Sequence, residues 1–247
     1  MSFRRAMIFA AGRGERMRPL TDATPKPLLR VGGKMLIEWH LESLARIGVS
    51  DVVINTSHLA SQFPQALGDG SRWGLQIHFA EEGPIPLETG GGMLNALPIL
   101  GEGPFVVVNG DVWSNYDFAR LPTKLAGQAH LLLVDNPEQH PRGDFHLASS
   151  GLVEATGSPL LTYSGIGLYR ASLFAHWQDD LDKAGHAPID NSPPRFALAH
   201  LLRAAMGRGE VSGEHHSGHW TDVGTPGRLA ELDDRLSGRT AAPDPNS

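Results

Sequence analysis

The chain has 247 residues, no cysteine, a formal net charge of -6 and 40% hydrophobic residues. Disulfide staples, thiolate zinc sites and a cysteine nucleophile are thereby excluded. The acidic balance argues against a nucleic-acid surface, and no run approaches the ~18 apolar residues of a membrane span. The apolar run 6–11 is too short for a secretory core and is followed at once by glycine and arginine, so the expectation is a cytoplasmic protein with one sizeable α/β domain.

In chain order, "RRAMIFA" predicts a first buried strand. "KMLIEWHLESLARIG" predicts a helix, with Leu36, Trp39, Leu44 and Ile47 at helical spacing and Gly48 where a terminating glycine belongs. "DVVINT" is a second strand, "LASQFPQALGDG" a short helix broken by Pro64, and "LQIHFAEE" a third strand. "TGGGMLNALPIL" is a helix with a glycine-rich start and "PFVVVNGD" a fourth strand. Strands alternating with helices imply parallel βαβ units with helices on both sheet faces. Beyond Asp111 the segments "AHLLLVDNP", "GDFHLAS", "GLVEAT" and "LTYSGIGLYR" are strand-like and separated by turns, which points to a more antiparallel region. "RFALAHLLRAAMG" is an amphipathic helix, "KAGHAPIDNSPP" a loop, and "TPGRLAELDDRL" a helix with Thr225 as N-cap and Pro226 in its first turn. Residues 237–247 read as a disordered tail.

The first loop concentrates charge. Between residues 10 and 29 it holds Arg13, Arg16, Arg18 and Lys26, with Gly12 and Gly14 among them and Pro25 and Pro27 around the lysine. The third glycine of a dinucleotide fingerprint is missing, Met17 standing in its place, and the Walker pattern is absent. Glycines let a backbone approach phosphates and donate N–H groups, and arginine supplies a bidentate fork. The loop is suited to a triphosphate, with Arg16 and Lys26 favoured over Arg18.

"FAAGRGERMRP" and "TPKPLLRVGGKMLIEW" resemble the signature of sugar-1-phosphate nucleotidylyltransferases. The likeness runs on through "PLETGGG", "VNGDVW" and "HWTDVGT", so it covers residues 5–236. It implies the α/β nucleotide-diphospho-sugar transferase fold, a Rossmann-like, mixed but mostly parallel central sheet with helices on both faces. It also implies one domain over 1–236, with a nucleotide half at 1–111 and a sugar half at 112–236. Phosphate contacts fall on Arg16 and Lys26, and Gly12, Arg13, Gly14 and Glu15 lie in the wrapping loop. Asp111 and Asp222 become the ligands of a magnesium ion, although either aspartate alone, without the resemblance, reads first as a turn residue beside glycine.

Gly90, Gly91 and Gly92 at a helix start cost roughly 1 kcal/mol each relative to alanine, so something must approach that backbone closely, and a flat base is the candidate. The family's base-reading segment assigns Glu82, Gly83, Glu88, Thr89 and Gly90 here. Glu82 either accepts the N3–H of uracil or is a solvated strand end. Asp144, Glu154, Ser164 and Gly165 match the sugar-side elements or are plain strand residues, and Asn109 bonds a sugar or stabilises a turn. An acidic sugar would want a cation near its pocket, with Arg142 and Arg195 as candidates. "EHHSGH" reads as a surface strand rather than a zinc site, since His215 and His216 point to opposite faces.

Within the family, "PLETGGGMLNALP" and "LVDNPEQHPRGDF" most resemble the branch that uses UTP in bacterial cell-wall recycling, from which the insert 184–194 departs. The alternatives are a mannose- or glucose-1-phosphate nucleotidylyltransferase, or a catalytically silent sugar-nucleotide sensor. Substrates would be a nucleoside triphosphate and a sugar 1-phosphate, with no nucleic-acid or membrane partner.

Overall fold

The computed structural model describes residues 3–186 and 193–239. The apolar run at the N-terminus forms β1 (Arg5–Phe9), and the basic loop that follows contains the short helix α1 (Leu20–Ala23). A two-residue hairpin, β2 (Arg30–Val31) and β3 (Lys34–Met35), leads into α2 (Leu36–Arg46). Gly48, at φ 85, ends that helix as its spacing predicts. Next come β4 (Asp51–Thr56), α3 (Gln62–Leu67), β5 (Gln76–Glu81), α4 (Glu88–Leu100) and β6 (Phe105–Asn109). Pro64 does not break α3. It lies in the helix's first turn, where no intrahelical partner is lost.

The second half begins with β7 (Val112–Ser114), then β8 (Ala129–Val134), β9 (Phe145–Leu147), β10 (Val153–Glu154) and the ten-residue β11 (Leu160–Tyr169). After α5 (Trp177–Lys183) and α6 (Leu198–Gly207) come β12 (Val211–His216), β13 (Trp220–Asp222) and α7 (Pro226–Leu236). Thr225 caps α7, its side chain accepting from the Arg228 amide. No helix among the described residues is long and apolar enough to cross a membrane. The expected tail falls mostly outside the described residues, as does the middle of the insert.

The central sheet runs β5-β4-β1-β6-β11-β8-β12, with β9 and β10 added along the first residues of β11. Four of its pairings are parallel (β5/β4, β4/β1, β1/β6, β8/β12), and β11 runs antiparallel to both β6 and β8. The sheet is therefore mixed, its seven-strand run mostly parallel and its β9 and β10 additions antiparallel. Alternation along the buried strands feeds two cores. Ala6 and Ile8 of β1 and Val106 and Val108 of β6 pack with Ile37, Leu41 and Phe63 on one face. Met7 and Val107 pack with Met93, Leu201 and Ala205 on the other. β12 carries "EHH" at the sheet edge, with His215 on Asp135 and His216 on Asn115, both at 2.9 Å. Among the described residues those histidines gather into no metal cluster.

His40, in the middle of α2, is 4% exposed, and its Nε2 has no partner among the described residues. Burial pulls its pKa down from 6.5 to about 4, against the opposing effects of a hydrogen bond to the Val112 backbone and the Asp111 charge. The folded chain holds the ring neutral where the unfolded chain takes up a proton. Its contribution is therefore complete above pH 6.5 and is lost as pH falls toward 4. The difference is on the order of 3 kcal/mol. In urea unfolding at pH 7 and pH 4, the wild type should lose about that much more stability than His40→Gln. Equal losses in the two proteins would show that this ring does not titrate with unfolding.

Candidate active site

Strands β1, β4 and β6 are parallel, so their carboxyl ends open into one cleft. A cavity of about 230 Å³ lies there, walled by Gly12 and Gly14 of the basic loop, Asn55 at the end of β4, Glu82 after β5, Glu88 and Thr89 of α4, and Asn109 and Asp111 after β6. A second cavity, also about 230 Å³, shares Asn109 and Asp111 and continues to Gln139, His140, Tyr163, Ser164, Trp220 and Asp222. Asp111 thus stands where the two compartments meet.

At that junction Lys26 Nζ lies 2.7 Å from Asp111 Oδ2. The lysine side chain is only 11% exposed, and the prolines on either side set its approach: Pro25 precedes its short helical turn and Pro27 lies within it. The other oxygen, Asp111 Oδ1, takes no hydrogen bond among the described residues. Asp222 is built the same way. β13 pairs antiparallel with β7, Asp222 lies opposite Val112, and the Val223 amide donates to the Asp111 carbonyl at 2.7 Å. Gln139 Nε2 and the part-buried Arg228 guanidinium both donate to Asp222 Oδ1, which leaves Oδ2 without a hydrogen bond among the described residues. Each carboxylate therefore has one oxygen neutralised by a cation and one available, and both line the same cavity.

That donor set fits magnesium, which takes one or two carboxylates and fills its remaining positions with water and phosphate oxygens. Among the described residues there is no group of three acidic or histidine side chains that would form an all-protein cage.

The glycine patch is explained differently from the expectation. A Cβ on Gly90 would lie 2.4 Å from the Phe196 ring, and one on Gly91 2.2 Å from the Pro194 carbonyl oxygen. One on Gly92 would lie 2.5 Å from Glu82 Oε1. The amides of Gly90 and Gly91 both donate to the Phe196 carbonyl, at 2.9 and 3.1 Å. What approaches Gly90 and Gly91 is the chain's own segment 194–196, stacked through Phe196 on Trp177 at 5.2 Å, and what approaches Gly92 is the Glu82 carboxylate. Gly90 lines neither cavity.

Glu82 is not a solvated strand end. Its Oε1 accepts from Asn55 Nδ2 and its Oε2 from the Leu87 amide, both at 2.7 Å, and burial raises its pKa. It clamps the loop 83–87 while one side faces the cavity. Asn55 in turn accepts from the Ala10 amide at 2.8 Å, tying the basic loop to the same clamp. Gly83 supplies the carbonyl that Ser57 bonds at 2.6 Å. Glu88 is a non-glycine residue at φ 63 on the cavity wall, ion-paired with Arg195 at 3.0 Å. Such a conformation costs about 1–2 kcal/mol. Thr89 Oγ1 accepts the Leu198 amide at the start of α6.

Other predicted residues lie further out. Arg13 reaches across to the Pro84 carbonyl at 2.9 Å. Glu15 and Arg16 are exposed on the loop and line neither cavity, and Arg18 pairs with Asp22. On the sugar side, Ser164 is fully buried, its hydroxyl accepting from the Ile166 amide and its carbonyl from Trp220 Nε1. Gly165, at φ 77, lets Asn109 approach to within 2.6 Å of where a Cβ would sit. Asp144 does not reach the cavity. It bonds His140 Nε2 at 3.0 Å and the Tyr163 amide at 2.9 Å. Glu154 is exposed on β10, the sheet's outermost strand, and lines neither cavity. The expectation missed Asn55, Gln139, His140 and Arg228. Only Asn55 carried a signal, as the polar residue that ends an apolar strand.

Residues 5–149 match the family model described as nucleotidyl transferase. The chain is 47% identical to the N-acetylmuramate alpha-1-phosphate uridylyltransferase of Neisseria meningitidis, over 92% of this chain and 96% of that protein. It is 32% identical to the protein of the same name from Caulobacter vibrioides, over 94% and 96%. Among solved structures, the inositol-1-phosphate CTP transferase from T. maritima superposes with a TM-score of 0.72 at 17% identity, covering 98% of this chain and 99% of that one.

Two glycine substitutions separate backbone approach by protein from approach by ligand. Gly91→Ala gains about 1 kcal/mol in helix propensity but forces a Cβ into the Pro194 carbonyl, an overpacking that costs about 1–3 kcal/mol. Its Tm should fall by several degrees. Gly12→Ala has nothing within 4 Å of the new Cβ, so its Tm should hold while KM for the nucleotide rises. A Gly12→Ala enzyme with unchanged kinetics would remove Gly12 from the phosphate site.

Proposed function

The chain belongs to the nucleotidyl transferase family, and on that premise we propose that it condenses UTP with N-acetylmuramate α-1-phosphate, yielding UDP-N-acetylmuramate and pyrophosphate in the cytoplasmic recycling of peptidoglycan. The observation that carries this reading is the pair of adjoining cavities joined at Asp111. One suits a nucleotide against the basic loop, the other a sugar phosphate beside Asp222.

The reaction joins a phosphate oxygen of the sugar 1-phosphate to the α-phosphorus of the triphosphate as the bond to pyrophosphate breaks. A phosphate monoester has its second pKa near about 6, so the nucleophile is already ionised at neutral pH and needs no general base. The protein's task is alignment and charge neutralisation. Lys26, which pairs with Asp111, exchanges that partner for the phosphate chain. Arg16 and Arg13 stand on the loop that closes over the phosphates, and Gly12 and Gly14 leave its backbone room to approach. Asn55 and Glu82 hold the floor and wall on which the base rests. Arg228 and Gln139 fix the orientation of Asp222, as groups behind a metal ligand do. A magnesium ion held by Asp111 and Asp222 would supply positive charge at the reacting phosphates.

With magnesium present, pyrophosphate release should be fastest with UTP and N-acetylmuramate 1-phosphate. Faster turnover of GTP with mannose 1-phosphate would replace this reading by the mannose one, and no release with any pair would favour a sensor. Lys26→Met keeps the buried stem and removes the charge. Loss of one such group costs about 2.7–4 kcal/mol of barrier by analogy with oxyanion donors, so kcat should fall by roughly a hundredfold or more. Near-normal kinetics would take Lys26 out of the mechanism.

A further inference from the structure

We infer that His140 is the residue that selects an acidic sugar, by binding the carboxylate the sugar carries in addition to its phosphate. This rests on the reading above, in which the second cavity holds the sugar 1-phosphate. N-acetylmuramate differs from N-acetylglucosamine by a lactyl ether that ends in a carboxylate, so a site that prefers the former must offer that group a cation or a set of donors. The cavity already contains two carboxylates, Asp111 and Asp222. Lys26 and Arg228 answer those two, so a third carboxylate taken out of water needs a positive partner or donors of its own.

The charges nearby leave one candidate. Among the side chains that line this cavity, His140 alone can become cationic. Arg195 is held by Glu88 on the nucleotide side, Arg142 is exposed and lines neither cavity, and Lys26 is paired with Asp111. Arg228 is engaged with Asp222 and opens on another cavity, which the sugar-side cavity meets only at Trp220. Neither arginine expected from the sequence is positioned for the task.

The imidazole is fixed in place. Asp144 is an obligate acceptor and takes the Nε2–H at 3.0 Å, while its other oxygen accepts the Tyr163 amide at 2.9 Å. Nδ1 is then the nitrogen left for a ligand, and once protonated it donates to an anion. The loop that carries the ring is pinned on both sides. The His140 amide donates to the Pro137 carbonyl at 2.8 Å. Asn136 Nδ2 reaches the Leu160 carbonyl at 2.9 Å, and its Oδ1 accepts from Thr162 at 2.8 Å. Little ordering entropy remains to be lost on binding.

His140→Gln keeps a donor that can face Asp144 and cannot become cationic. Hydrogen bonds to charged groups contribute about ten- to a hundredfold in binding. The ratio of kcat/KM for N-acetylmuramate 1-phosphate to that for N-acetylglucosamine 1-phosphate should fall by roughly that factor. An equal loss on both sugars would show that His140 only holds the loop and would overturn the inference, as would an undiminished ratio. A wild-type enzyme with no preference for the acidic sugar would overturn the inference together with the function on which it rests. His140→Asn, read by the same ratio, serves if the glutamine variant does not fold.

Discussion

The short pairing of β13 on β7 is the contact on which the site depends. Three residues on each strand lie in register, and the Val223 amide reaches the Asp111 carbonyl. That pairing brings two aspartates from distant parts of the chain to one side of one cavity. It is far too short to be stable alone, so its stability comes from packing. Trp113 and Val223 are buried with Met17, Val31, Leu36 and Leu232 in a third small core, and Trp39 meets Trp113 edge to face at 6.2 Å. The hairpin of β2 and β3 and the helix α7 thus act as a brace. The Gly32 amide donates to Asp233 at 2.7 Å, joining the two.

Two carboxylates that line one cavity repel, and the fold answers with one cation beside each. Lys26 and Arg228 have side chains only 11% and 15% exposed, so their attraction is less screened than that of a surface pair. Each takes one oxygen and leaves the other without a hydrogen bond among the described residues. The arrangement offsets both charges and keeps two anionic oxygens available to a cation. Arg228 acts from behind Asp222, whereas Lys26 stands inside the cleft and is the cation able to change partners.

Much of the fold was legible because the parallel strands are continuous runs of branched apolar residues, which only a doubly covered sheet explains. The pairing of β7 with β13 was not, since a three-residue strand beside a glycine turn has no period to read. The glycine patch shows a deeper limit. The sequence reports that something comes close to the backbone at residues 90–92, but a base and the segment 194–196 leave the same trace. Asp111 and Asp222 were legible as metal ligands only through the family resemblance, each alone reading as a turn residue, whereas Lys26 stood out between two prolines in a basic loop. Gln139 and His140 sit in a proline-flanked loop whose place over the cavity depends on Asn136 and Asp144, bonds that no local pattern announces. Glu154 matched a motif by position, yet its strand lies at the far edge of the sheet.

The central claim is that Asp111 and Asp222 form one divalent-cation site. Manganese substitutes for magnesium and is counted by electron paramagnetic resonance as it leaves solution, without any substrate present. The wild type should bind one ion per chain, and Asp222→Asn, which keeps the size and the local hydrogen bonds but not the charge, should weaken that binding by at least about tenfold. Superimposable titrations of the two proteins would contradict the account.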